Sequence, residues 1–136
     1  MRNRILIVED VEDIRSAMVE LLTEELPGVT LGEASTAEEA LAAVRSSRWD
    51  LLLLDLRLPQ QSGFDLLPML RELAPQAQVV VITCLPRYPY EHVVRQAGAT
   101  AFMNKEDAFD ELPALARSLL SDRGEGAGGH AKLELC

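Results

Sequence analysis

The sequence predicts an α/β domain with a doubly wound, five-stranded parallel sheet, and three observations carry that prediction. First, Ile5 to Val8, Leu51 to Leu54 and Val79 to Ile82 are unbroken apolar runs. They are too short for helices and oily on both sides, as strands covered on both faces are. Second, the stretches between the runs carry apolar residues at helical spacing, so strands and helices alternate. Third, acidic, hydroxyl and basic residues fall where the runs end: Glu9-Asp10, Asp55, Thr83 and Lys105. Alternation implies right-handed crossovers, hence a parallel sheet with helices on both faces.

Each element has its own justification. Arg4 to Val8 is a β-branched run and the first strand. From Val11, the apolar positions Ile14, Ala17, Met18, Leu21 and Leu22 form a helical stripe, stopped by Pro27-Gly28. Val29 to Ala34 is a weaker strand. Ser35 or Thr36 caps the second helix, with Glu38 or Glu39 completing a capping box. Asp50 to Leu54 is the third strand, closed by Asp55, with Pro59 and Gly63 marking the loop that follows. Asp65 as N-cap would place Pro68 in the first turn of the third helix, where its missing N–H costs little. Val79 to Thr83 is the fourth strand. A short helix runs from about Pro89 to Ala97, with Gly98 at its C′ position. Ala99 to Met103 is the fifth strand, and Pro113 fits a last helix beginning near Asp110. Trp49 is expected to pack where the third strand begins, and Tyr88 and Tyr90 to pack in the loop near the fourth helix.

Composition bounds the function. The chain has 136 residues, enough for one domain, and 13 basic against 22 acidic side chains give a net charge of −9. An acidic domain is poorly suited to phosphate backbones, so no nucleic-acid binding is expected from this chain. No stretch approaches the length of a membrane span, and the short apolar start is followed at once by carboxylates, unlike a signal peptide. Cys84 and Cys136 make neither a disulfide framework nor a metal spacing, and Cys84 reads as a small buried thiol. The expectation is a cytoplasmic protein with its folded domain at residues 1–121. Residues 122–136, rich in glycine at Gly124, Gly126, Gly128 and Gly129, read as a flexible linker or tail. His92 reads as a helix-surface residue and His130 as a tail residue.

In a doubly wound sheet the carboxyl ends of the strands share one edge, where ligands bind. Glu9, Asp10 and Asp55 converging there would repel one another unless a cation sat among them, and oxygen ligands suit Mg²⁺. Lys105 can pair with a carboxylate or with a phosphoryl group added to it, and Thr83 can donate a hydrogen bond to that group. Such a set suits phosphoryl transfer to Asp55 as nucleophile. Taken singly, each residue has a structural explanation: a helix-start pair, a turn-capping Asp, a strand Thr, a surface Lys. The coincidence of all of them at strand ends favours the chemical reading.

The segments Ile-Leu-Ile-Val-Glu9-Asp10, Leu-Asp55-Leu-Arg57-Leu-Pro59 followed by Gly63, Val-Ile-Thr83, Ala97-Gly98-Ala99 and Phe102 to Lys105 resemble the receiver domain of bacterial response regulators. The resemblance covers residues 4 to about 121. It implies the flavodoxin-like strand order 2-1-3-4-5, an order for which this fold class has well-known examples. It also implies Asp55 as phosphoacceptor, a sensor histidine kinase as donor partner, and Mg²⁺ held by Glu9, Asp10, Asp55 and the Arg57 backbone carbonyl. Thr83 and Phe102 match the family's switch pair, with Phe102 expected to swing inward as Thr83 moves toward the phosphoryl group. A reset surface of the fourth helix, fifth strand and fifth helix would then signal, with a phosphorylation-dependent homodimer as one output. The implied role is a signalling phosphoacceptor, not an enzyme, acting in transcription through a second, DNA-binding domain not expected in this chain. Three departures stand out. Cys84 is larger than the residue usual after Thr83, which narrows the phosphate's approach, and Glu106 replaces the proline, and hence the cis peptide, common after the lysine. The acidic pair is Glu9-Asp10, a familiar variant expected still to hold the metal.

Three other readings compete. Dinucleotide binding needs glycines after the first strand, where this chain has carboxylates. An aspartyl-phosphate hydrolase of the haloacid dehalogenase type normally has a second Asp where this chain has Arg57. A stand-alone single-domain regulator, or a receiver-like module that binds partners without phosphorylation, is the serious alternative.

Overall fold

The computed structural model describes residues 3–121. The segment predicted as a Gly-rich linker or tail, with His130 and Cys136, lies outside the described residues. The chain alternates β1 (Arg4–Val8), α1 (Glu12–Glu25), β2 (Thr30–Ala34), α2 (Ala37–Ser46), β3 (Leu51–Leu54), α3 (Gly63–Leu73), β4 (Gln78–Thr83), α4 (Arg87–Gln96), β5 (Ala101–Asn104) and α5 (Lys105–Ser121). All pairings are parallel, in the order β2-β1-β3-β4-β5. The predicted architecture and strand order are therefore present.

The three central strands are buried on both faces, which is why they read as unbroken oily runs. Alternate residues feed opposite layers: Leu52 and Leu54 pack with α2, α3 and α4, while Leu51 and Leu53 pack with α1 and α5. At about 1.5–3 kcal/mol for each fully buried aliphatic side chain, the leucine run anchors the sheet. Register sets the site. Val8 pairs with Leu54, so the residues that follow, Glu9 and Asp55, leave the sheet side by side. Two hydrogen bonds extend the ladder there, Asp55 N–H to Val8 O at 3.1 Å and Glu9 N–H to Ala34 O at 3.0 Å.

Four boundaries differ from expectation by two residues or more. α3 is capped by Ser62, whose side-chain oxygen accepts the Phe64 N–H at 3.0 Å while its carbonyl accepts that of Leu66. Asp65 lies inside the first turn, and Pro68 stands a turn further on than predicted, on the exposed side. α4 begins at Arg87, with non-helical backbone at Tyr88. β5 starts at Ala101 rather than Ala99. α5 begins directly at Lys105, where Asn104 Oδ1 accepts the Glu106 N–H at 2.9 Å and Glu106 and Asp107 complement the helix dipole. Pro113 is consequently interior and buried.

Local capping otherwise follows the sequence. Thr36 is the α2 cap, accepting the Glu39 N–H, and Glu39 reaches back to the Ser35 N–H. Gly98 has φ +110°, as a C′ glycine should. Trp49 is buried before β3, its indole N–H donating to Ala43 O at 3.0 Å, with the Arg4 guanidinium over its ring. Tyr90 packs against Phe64, but Tyr88 is 86% exposed and does not pack in the loop as predicted. Among the described residues, no helix is long and apolar enough to cross a membrane.

Candidate functional site

The carboxyl ends of β1 and β3, the loop after β4 and the start of α5 surround an open cavity lined by Asp10, Asp55, Arg57, Cys84 and Lys105, among others. Asp55 forms its floor. The Arg57 N–H donates to Asp55 Oδ1 at 3.1 Å, and Lys105 Nζ donates to Oδ2 at 3.1 Å. Each carboxylate oxygen therefore already faces a donor, a backbone amide on Oδ1 and the Lys105 ammonium on Oδ2, which orients the group.

Glu9 lies beneath, almost fully buried. Its Oε2 accepts the Val11 N–H at 3.0 Å, and Oε1 is 2.7 Å from Lys105 Nζ. That contact is a close charge pair without hydrogen-bond alignment, so Oε1 has no aligned donor. Burial pushes the Glu9 carboxyl above its ordinary pKa; Lys105 and the Val11 N–H oppose this, and the nearby Asp55 charge adds to it. For Lys105, burial pulls the ammonium down, but Glu9 and Asp55 outweigh it and hold the pKa above the ordinary lysine value. The ammonium thus stays charged beside both acids.

Glu9, Asp10 and Asp55 each bring a carboxylate oxygen within 4.8 Å of the others. Three hard oxygen donors, one of them a buried atom lacking an aligned partner, fit a divalent cation such as Mg²⁺. The Asp10 carboxylate has no hydrogen-bond or ion-pair partner among the described residues, leaving its oxygens available.

Thr83 ends β4 as expected, whereas Phe102 is placed differently from the expectation. Thr83 is fully buried at the end of β4, does not line the cavity, and its hydroxyl oxygen accepts the Leu85 N–H at 3.3 Å. That bond uses the hydroxyl as an acceptor, and burial keeps it back from the cavity surface. Phe102 is 1% exposed and lies in the α4-side core, with the Arg87 guanidinium 5.4 Å above its ring. The predicted inward swing starts from an exposed ring that this structure does not contain. Cys84, expected to be buried, is exposed on the cavity wall.

Two contributors were not anticipated. Gly63 lies so close to the acceptor loop that a Cβ there would be 2.6 Å from both Asp55 O and Leu56 Cα. The loop glycine in the sequence signalled a turn, not this approach. Arg15 donates from Nη1 to Glu9 O at 2.8 Å and from Nε to Glu33 Oε1 at 3.0 Å. Its helical position after Val11 was the only available signal.

Comparison with known proteins agrees with this geometry. The family model for the response regulator receiver domain matches residues 5–117. A CheY-like response regulator receiver domain protein from Methanospirillum hungatei JF-1 superposes with TM-score 0.84 at 27% identity, covering 93% of this chain and 99% of that one. The response regulator TrrA from Thermotoga maritima, solved in complex with Mg²⁺ and BeF, is 31% identical with TM-score 0.76, covering 87% and 99%. The response regulator UvrY of Escherichia coli K12 is 28% identical over 118 residues, 86% of this chain and 54% of UvrY. The chain spans about half the length of such curated relatives.

Proposed function

The chain belongs to the response regulator receiver domain family, and on that premise we propose that it accepts a phosphoryl group on Asp55 from the phosphohistidine of a sensor histidine kinase. The observation that carries this is the Asp55 carboxylate at the cavity floor, held by Lys105 and the Arg57 N–H beside Glu9 and Asp10. A carboxylate oxygen of Asp55 attacks phosphorus, and the P–N bond to the donor imidazole breaks with its electron pair remaining on nitrogen. Lys105, freed in part from Asp55, pairs with a phosphoryl oxygen. Thr83 donates its hydroxyl proton to another once the β4–α4 loop moves. Glu9, Asp10, Asp55 and the Arg57 carbonyl would hold Mg²⁺, which supplies positive charge shared between the carboxylates and the phosphoryl oxygens.

The domain acts as a signalling phosphoacceptor rather than a turnover enzyme. Its output is the surface of α4, β5 and α5, where Tyr88, Val93 and Phe109 are exposed apolar residues. Arg87 stands at the start of that surface over Phe102, so movement of the loop after Thr83 is transmitted to α4 through it. A phosphorylation-dependent homodimer through this face, and transcriptional control through a DNA-binding domain beyond this chain, complete the reading. It is supported by the shared family and by the relatives' description as response regulators.

The test is labelling with acetyl phosphate. Phosphoryl incorporation that requires Mg²⁺ and disappears in excess chelator supports the reading. Incorporation unaffected by chelator, or none at all with Mg²⁺ present, contradicts it.

A further inference from the structure

We infer that Arg15 is a positioning residue for the divalent-cation site, acting on Asp10 through the Glu9–Asp10 peptide. This inference rests on the Mg²⁺ reading above. Asp10 is the ligand least determined by its own contacts, because its carboxylate has no partner among the described residues. Its placement therefore depends on the backbone that carries it.

That backbone is held at three points. The Glu9 N–H is tied to Ala34 O, and the Glu9 carboxylate accepts the Val11 N–H and is charge-paired with Lys105. The third point is the Glu9 carbonyl, half of the peptide plane that leads into Asp10, and Arg15 Nη1 donates to it at 2.8 Å. Arg15 is itself oriented. Its Nε donates to Glu33 on β2 at 3.0 Å, and its side chain is only 16% exposed. The planar guanidinium thus spans from β2 to the cation loop in a fixed fork.

Charge and position make opposite forecasts, which is what makes the proposal testable. Arg15 is a cation beside a cation site, so as a charge alone it opposes Mg²⁺, and its removal would tighten binding. As a clamp on the Asp10 backbone it favours Mg²⁺, and its removal loosens binding. Groups that orient metal ligands typically contribute about 10–100-fold in metal affinity. Arg15 acts one bond further out and against its own charge, so a loss of at least about threefold is expected.

The experiment is calorimetric titration of MgCl₂ into the metal-free protein, compared with urea midpoints measured without Mg²⁺. Arg15→Ala is expected to raise the half-saturating Mg²⁺ concentration at least about threefold. The double variant Arg15→Ala/Glu33→Ala, which leaves net charge unchanged, should be weakened similarly. Arg15→Lys keeps the charge without the fork and should recover part of the affinity. Arg117→Ala, which removes an arginine paired with Glu25 away from the cation loop, should bind as wild type does. A purely structural Arg15 would lower the urea midpoint and leave Mg²⁺ half-saturation unchanged, which overturns the proposal. Tighter Mg²⁺ binding by Arg15→Ala also overturns it. A wild type that takes up no Mg²⁺ overturns the cation reading and this inference together.

Discussion

Gly63→Ala puts the coupling between α3 and the acceptor loop to a quantitative test. The added Cβ would be 2.6 Å from Asp55 O and from Leu56 Cα, where ordinary contact begins at 3.4 Å. Each neighbour must give by 3.4 − 2.6 = 0.8 Å, and both are backbone atoms that cannot rotate aside. The Gly63 N–H also donates to Leu56 O at 2.9 Å, so helix and loop cannot separate without losing that bond. Overpacking of this kind costs about 1–3 kcal/mol, here at the upper end, and the better helix propensity of Ala returns at most about 1 kcal/mol. The net expectation is a loss of about 2 kcal/mol, or roughly 8 °C in Tm for a domain of this size. Urea unfolding followed by the buried Trp49 measures it. The same displacement moves Asp55, and because a 1 Å misplacement can cost about 100-fold in rate, labelling should slow by at least about tenfold. A variant within about 0.5 kcal/mol of wild type that is labelled at the wild-type rate would refute the argument.

Three further outcomes follow from the site. Glu9 has a folded-state pKa raised above 4.5, so its contribution to stability is fully present below 4.5 and lost as pH rises through the folded value. The stability advantage of Glu9→Gln over metal-free wild type should therefore be absent in acid, grow as pH rises past 4.5 and then level off; a constant difference across pH would contradict the burial argument. Lys105→Ala removes the ammonium shared by Glu9 and Asp55 and leaves the carboxylates unneutralised. In thermal melts its Mg²⁺-induced rise in Tm should exceed that of wild type, and an equal or smaller rise would count against it. Trp49 lies at the far end of β3 from Asp55, about six strand residues or roughly 20 Å away. Its fluorescence should be nearly silent to Mg²⁺, and strong quenching would contradict the register.

The fold was legible because its core strands are oily on both faces, a pattern few other architectures produce. Leu51 to Leu54 and Val79 to Ile82 left little choice, and their ends located Asp55 and Thr83. Boundaries shifted where two residues competed for one role. Ser62 and Asp65 both suit an N-cap, and only the folded loop reveals that Ser62 reaches the free N–H groups. Pro113 suggested a late start for α5, yet Asn104 caps the helix well before it. The site was legible as residue types, since Glu9, Asp10, Asp55 and Lys105 converge as expected. What could not be read was side-chain depth. Phe102 and Thr83 are buried, and Cys84 is exposed, because each depends on how the β4–α4 loop and Arg87 lie across the sheet edge.

The central claim is that Asp55 is the phosphoacceptor, and intact mass spectrometry after incubation with acetyl phosphate and Mg²⁺ tests it most directly. The account predicts the mass increase of a single phosphoryl group in wild type and none in Asp55→Asn, with the variant still folded by its Trp49 fluorescence. Persistent phosphorylation of folded Asp55→Asn would contradict it.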